Sequence, residues 1–207
     1  MGGKSFVNLL APPFMSPEML LTCPLQVGAA KYREMRMKGQ TPLPKPVILP
    51  QGQDIQLPSR DSNRTIPCRL LEPSSGSSKG VILHIHGGGW VLMSEKASDP
   101  LLNIYAQTSH CTVISVGYRL APEHPFPAGP EDCFDVAEYL VKNGEKEYGG
   151  PLRFMGGEVC DLLFTIISLS GLQNTPSIYF SGKDVSLKLR DFNEGLAHEQ
   201  SQCLYIT

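Results

Sequence analysis

Polar and apolar residues alternate through Asp54-Ile55-Gln56-Leu57, the period-two pattern of a half-buried strand at a sheet edge. Thr65-Ile66-Pro67-Cys68-Arg69-Leu70-Leu71 reads as a second strand, whose proline suits an edge or a bulge. Two more runs, Val81-Ile82-Leu83-His84-Ile85 and Cys111-Thr112-Val113-Ile114-Ser115-Val116-Gly117, are apolar or β-branched enough to be strands. Elsewhere the spacing turns helical. Residues 99–109 place Leu101, Leu102, Tyr105 and Ala106 on one face, and residues 130–143 carry Phe134, Ala137, Tyr139, Leu140 and Val141 before a stop near Gly144. Strands alternating with helices predict an α/β fold with a mostly parallel sheet and right-handed crossovers.

The flanks have a different texture. Ser16 before Pro17 signals a helix start, and Gln26 to Arg36 reads as a mixed charged helix ended by Gly39. Thr41 to Pro50 is a proline-rich connector. Leu162 to Leu169 is an apolar run that fits a buried strand or a helix and is too short to cross a bilayer. Thr175 to Asp184 reads as a strand ending in an acid, and from Ser186 the chain becomes polar. The expected division is residues 1–45 as an N-terminal helical segment, 46–158 as the α/β core, and 159–207 as a divergent tail.

Length and charge narrow the classes. A chain of 207 residues suits one domain with a sizeable core. A net charge of −2 without a basic cluster gives no reason to expect nucleic acid or a membrane surface. The six cysteines, at 23, 68, 111, 133, 160 and 203, form no Cys-x-x-Cys, so neither a metal site nor a disulfide framework is expected. No cofactor is expected either. The N-terminus shows no basic-then-apolar signal peptide, no transmembrane segment is seen, and the cytoplasm is the expected compartment, with Asn63-Arg64-Thr65 a chance sequon.

Candidate chemistry enters at His86-Gly87-Gly88-Gly89-Trp90, immediately after an expected strand. Successive glycines let the backbone adopt positive φ and bring bare N–H groups close to a ligand. Two such groups aimed at one point stabilise the oxyanion of a tetrahedral intermediate, each worth roughly 3 kcal/mol of barrier. A tight strand exit that needs glycine for steric reasons alone would read the same.

The motif is followed by Tyr118-Arg119-Leu120-Ala121-Pro122-Glu123 and Phe126-Pro127-Ala128. With His86 to Trp90, this combination resembles the hormone-sensitive-lipase branch of the α/β-hydrolase fold, which also holds arylacetamide deacetylases and bacterial carboxylesterases. The resemblance covers residues from about 65 to about 158. It implies an oxyanion loop at Gly87, Gly88 and Gly89, with His86 and Trp90, and Tyr118, Arg119, Pro122 and Glu123, as supporting motif positions. His86 would shape the loop and not act as the triad base. It further implies serine acyl transfer on a small ester or amide, with the N-terminal helices as a cap.

The resemblance fails at the nucleophile. Pro151 to Glu158 matches the strand that leads into the elbow, which the family continues as Gly-x-Ser-Ala-Gly-Gly, whereas this chain continues Val159-Cys160-Asp161. Val159 fills the serine's slot, and Val159 and Asp161 replace neighbours that a strained turn needs small. Cys160 stands one position late and reads as a buried free thiol. Gly76-Ser77-Ser78-Lys79-Gly80 matches Gly-x-Ser-x-Gly literally, but it precedes a strand where an elbow follows one. Asp161, Asp184 and Asp191 are the acids left, and Asp184 or Asp191 with His198 would have no serine to activate. No catalytic residue is therefore intact.

The expectation is a hydrolase-family chain that keeps its oxyanion loop, lacks the C-terminal half of the fold and has little or no catalysis. A non-catalytic binding or regulatory variant is the alternative, and a non-functional product of splicing, frameshift or gene prediction is the third. An incomplete sheet is expected to leave an unpaired edge beside Phe154, predicting self-association there.

Overall fold

The computed structural model of the protein describes residues 24–157 and 177–180. One compact unit reaches Pro46 and a second begins at Val47. In the first, a single turn α1 (Pro24–Val27) precedes α2 (Ala29–Lys38), which ends where Gly39 takes a left-handed φ of 72° and its N–H returns to the Arg36 carbonyl. Glu34 bridges Lys31 and Lys38 on that helix, and their hydrogen bonds hold its carboxyl down to about 2. The helix start expected at Ser16-Pro17 lies outside the described residues.

The second unit is built on a six-stranded sheet of order β1-β2-β4-β3-β5-β6, with β1 (Gln53–Pro58), β2 (Thr65–Leu71), β3 (Val81–Ile85), β4 (Thr112–Val116), β5 (Leu152–Gly157) and β6 (Ser177–Phe180). β1 and β2 run antiparallel to their neighbours, whereas β4, β3, β5 and β6 are mutually parallel. β3 is therefore central, with Leu83 level with Ile114 of β4 and Met155 of β5. A βαβ arrangement displays its loops at the carboxyl ends of the parallel strands, where the chain leaves β3 into the glycine motif.

Alternate residues divide the sheet's two faces. Val81, Leu83, Ile85, Ile114 and Val116 pack on Cys133, Val136, Ala137 and Leu140 of α4 (Ala128–Tyr148), all buried. On the opposite face Leu71 and Val113 pack on Leu102 and Ala106 of α3 (Asp99–Ser109). Burial of the valine, leucine and isoleucine side chains among these contributes roughly 1.5–3 kcal/mol each before the entropy of ordering is subtracted.

Four sequence expectations change. Pro67 does not mark an edge, since β2 pairs on both sides; it sits where the ladder with β4 ends, and its carbonyl accepts the Gly117 N–H at 2.8 Å. Leu101 is 42% exposed, because the buried face of α3 is the narrower one through Asp99, Leu102 and Ala106. Gly144 does not end α4. It is buried inside the helix, where an added Cβ would stand 3.3 Å from the Gly150 carbonyl and 3.6 Å from Val81, so the glycine is set by close packing and Gly149, at φ 78°, ends the helix. Finally, β5 is not an edge: β6 pairs with it from Phe154↔Ser177 to Gly157↔Phe180. The strand expected within Thr175 to Asp184 covers that edge, and among the described residues the outer strands are β1 and β6.

A buried ion network holds the α3 side. Arg69 of β2 donates to the fully buried Asp99 through Nη2 at 2.7 Å and Nε at 3.2 Å, and to Asp54 through Nη1 at 2.8 Å. Asp99 also accepts the Leu49 N–H at 2.9 Å, and Arg69 donates to the Leu49 carbonyl at 2.7 Å. Its hydrogen bonds to Asp99 raise the affinity of Arg69 for its proton, while Lys96, donating to Asp54, keeps that carboxyl below its usual range.

Candidate functional site: a glycine loop after β3

The loop begins where β3 ends. Gly87 is buried, Gly88 half-buried and Gly89 exposed, so the backbone climbs from the core to the surface in three residues. Gly88 has φ 116° and Gly89 φ 62°, and Trp90 stays in the left-handed region at φ 62°. A Cβ on Gly88 would lie 2.3 Å from the Leu92 carbonyl oxygen, so no side chain fits there without rebuilding the turn.

Three successive carbonyls are tied down. The Tyr118 hydroxyl donates to the His86 carbonyl at 2.7 Å. The Gly87 carbonyl lies 2.8 Å from Nδ1 of His86, and the Gly88 carbonyl accepts Leu92 N–H at 2.9 Å and Val91 N–H at 3.2 Å. In a planar trans peptide the N–H points opposite to the C=O. Fixing these carbonyls therefore turns the amides of Gly87, Gly88 and Gly89 away from the groups that hold them. Among the described residues, no acceptor pairs with those amides.

His86 has one consistent tautomer. Its Nδ1 faces a carbonyl, which can only accept, so Nδ1 carries the proton. Nε2 is then a bare acceptor, buried and without a partner among the described residues. Burial pushes the imidazole down to about 4, against a smaller upward pull from the Gly87 carbonyl, so the ring is neutral at physiological pH. Such a ring can orient a loop but is not poised as a general base near neutrality.

A second segment clamps this loop. The ring of Tyr118 stacks on His86 at 4.1 Å between centroids and meets Trp90 at 4.9 Å, and the Ala121 N–H donates to the Trp90 carbonyl at 2.8 Å. Residues 118–121 thus hold the loop at both its first and last carbonyl. Tyr118→Phe would leave the buried His86 carbonyl without that donor, and we expect a loss of about 1–3 kcal/mol in a urea titration. An unchanged midpoint would mean that the hydroxyl does not hold the loop.

The other motif positions divide. Arg119 lies against the clamp, donating through Nε to Asp132 at 3.1 Å, whereas Pro122 and Glu123 are exposed on the following turn. Ser78, the serine of the literal Gly-x-Ser-x-Gly, precedes β3, and its hydroxyl donates to the Gly80 carbonyl at 2.7 Å and accepts the Thr112 N–H at 2.9 Å. That hydroxyl is committed to the turn between β2 and β3. Val159, Cys160, Asp161, Asp184, Asp191 and His198 lie outside the described residues.

One polar pair went unnoticed in the sequence. Nδ1 of His84 lies 2.9 Å from the Ser115 hydroxyl, both buried and at the same level of β3 and β4. Burial, with His86 nearby, pushes His84 down to about 3. Each residue interrupts an apolar run, but only the register reveals that they meet. Cys68, Cys111 and Cys133 are buried free thiols, and burial lifts Cys68 to about 12, so it is unreactive. Among the described residues, no three His, Cys, Asp or Glu side chains group to hold a metal, and no helix is long and apolar enough to cross a membrane. A cleft of about 180 Å³ lies elsewhere, between the end of β1 and α4, lined by Pro58, Arg60, Asp135, Tyr139 and Lys142 and by none of the loop residues.

Residues 82–158 match a family model described as an alpha/beta hydrolase fold. The chain is an α/β-hydrolase-fold protein. Among curated relatives, it is 36% identical to an arylesterase of Saccharolobus solfataricus over 114 residues, covering 55% of this chain and 37% of that protein. It is 32% identical to the hormone-sensitive lipase of Bos taurus over 143 residues, covering 66% of this chain and 19% of that one. Among solved structures, a Pyrobaculum calidifontis esterase superimposes with a TM-score of 0.59 at 27% identity, covering 81% of this chain and 58% of that chain. The chain thus spans well under two thirds of these relatives' length. The relatedness to carboxylesterases and lipases implied by the two motifs is confirmed by these matches.

Proposed function

We propose that the glycine loop binds the carbonyl end of a small ester or amide, or the carboxylate released from one, and that the chain does not hydrolyse it through a serine acyl-enzyme. The observation that carries this reading is the tying of three consecutive carbonyls, while the Gly87, Gly88 and Gly89 amides keep no protein acceptor among the described residues and stay available to a ligand oxygen. In acyl transfer such amides accept the charge of the tetrahedral oxyanion, each donor lowering the barrier by roughly 3 kcal/mol. The esterase and lipase relatives support an acyl ligand.

The second half of the proposal rests on the residues themselves. Val159 occupies the position that the motif assigns to the nucleophile and has no hydroxyl to deliver. In a studied serine protease, loss of the triad lowers kcat by about 2 × 10⁶ and leaves some catalysis over water from the oxyanion site and binding alone. We therefore expect p-nitrophenyl acetate turnover no greater than such a residual rate, and no covalent labelling by a serine-reactive fluorophosphonate. A labelled serine in the digested protein would sink the proposal.

A further inference from the structure

Asp132 lies near the start of α4, and its carboxylate is fully buried. A buried carboxylate must be paired, and this one is, through two arginines. Arg64 donates through Nη2 at 2.5 Å and Nη1 at 3.3 Å. Arg119 donates its backbone N–H at 2.9 Å and Nε at 3.1 Å, and its Nη2 forms an ion pair with the same carboxylate at 3.0 Å. Asp132 thus fixes both the main chain and the side chain of the residue that follows Tyr118. Arg119 in turn donates from Nη2 to the Ala128 carbonyl at 3.2 Å, and its own carbonyl lies against Gly129, where an added Cβ would be 3.0 Å away. The same Gly129 leaves room for the Trp90 ring, 2.7 Å from that Cβ position.

We propose that Asp132 is a positioning residue of the glycine loop, acting through Arg119 on the 118–121 clamp and so on the direction of the Gly87 to Gly89 amides. The inference rests on the reading of that loop as the ligand site, and it assigns the loop's shape to a carboxylate that does not touch it. The peptide plane between Tyr118 and Arg119 contains both the Tyr118 Cα and the Arg119 N–H, so the bond from that N–H to Asp132 limits where the backbone places the Tyr118 ring against the His86 carbonyl. The geometry also provides a matched comparison. Asp135, less than one turn further along α4, is likewise buried and accepts from Arg60 through Nε and N–H, both at 2.8 Å, but its partners follow β1 and not β4.

Trp90 is the sole tryptophan of the chain, so its emission reports this loop without a label. The test compares Asp132→Asn with Asp135→Asn by urea titration, Trp90 emission and the amide resonances of Gly87, Gly88 and Gly89. Both variants are expected to lower the unfolding midpoint. Only Asp132→Asn is expected to red-shift Trp90 in the folded baseline and to displace the glycine amides. Should Asp132→Asn fail to fold, Arg119→Lys, which keeps the charge and the backbone N–H but loses the guanidinium fork, must give the same displacement. Wild-type emission and amides in Asp132→Asn, or in Arg119→Lys where the first does not fold, would overturn the inference. Equal displacement by Asp135→Asn would overturn it as well. These readouts need no ligand, so a wild-type chain that binds no carboxylate would contradict the proposed function and leave this result standing.

Discussion

Lowering the pH from 7 to 5 is expected to remove about 4 kcal/mol of stability, a large part of the margin of a small domain. The cause is His84 and His86, which are buried, neutral and held down to about 3 and about 4 in the fold. In the unfolded chain each takes a proton near pH 6.5. Between pH 6.5 and about 4 the unfolded state therefore binds more protons than the folded one, and stability falls as pH falls. Each unit below 6.5 removes about 1.4 kcal/mol per histidine, so pH 5 removes about 2 kcal/mol from each. Glu95 works the other way, because burial raises its carboxyl and the folded state gains its proton first. Urea midpoints at pH 7, 6.2 and 5.5 isolate the histidines, since most carboxylates titrate lower. A midpoint that does not move over that range would contradict the burial of these two rings.

Asp99→Ala is expected to cost about 3–5 kcal/mol, the usual penalty for stripping one partner from a buried ion pair. The loss comes less from the attraction removed than from what is left behind. Arg69, with its side chain 5% exposed, would keep its charge with only Asp54 and the Leu49 carbonyl as acceptors, and Leu49 would lose the acceptor for its N–H. Arg69→Met in the same background should recover part of the loss, since an uncharged side chain of similar length leaves no stranded cation. Thermal unfolding of the single and double variants checks both statements. A double variant no more stable than Asp99→Ala would place the penalty in packing and not in charge.

The strands were legible in the sequence wherever burial imposed a pattern. β2, β3 and β4 are apolar or β-branched because they are covered on both faces, and β1 alternates because it is an edge. The α/β-hydrolase fold and the glycine loop could be read from the motifs at 86–90 and 118–123. What depended on distant partners could not. Gly144 looks like a helix stop because sequence shows flexibility and not the strand pressing on it. Phe154 looked like an edge because nothing in Ser177 to Phe180 says which strand it will join. The Tyr118 clamp, the Asp132 anchor and the His84–Ser115 pair each join residues that are 13 to 32 positions apart, as the separations of 32, 13 and 31 show. The register of β3 against β4 brings the first and third together, and the packing of α4 on the sheet brings the second.

The proposed role of the glycine amides is that of a preset cradle for a carbonyl or carboxylate oxygen. It is tested most directly by titrating butyrate into the protein while following the amide resonances of Gly87, Gly88 and Gly89. A few charge-assisted hydrogen bonds correspond to binding on the order of 1 mM. Saturable shifts are expected at two or more of the three glycines, abolished in Gly88→Ala, where the new Cβ would stand 2.3 Å from the Leu92 carbonyl. Glycine amides that stay in place throughout the titration of the folded wild-type protein would contradict it.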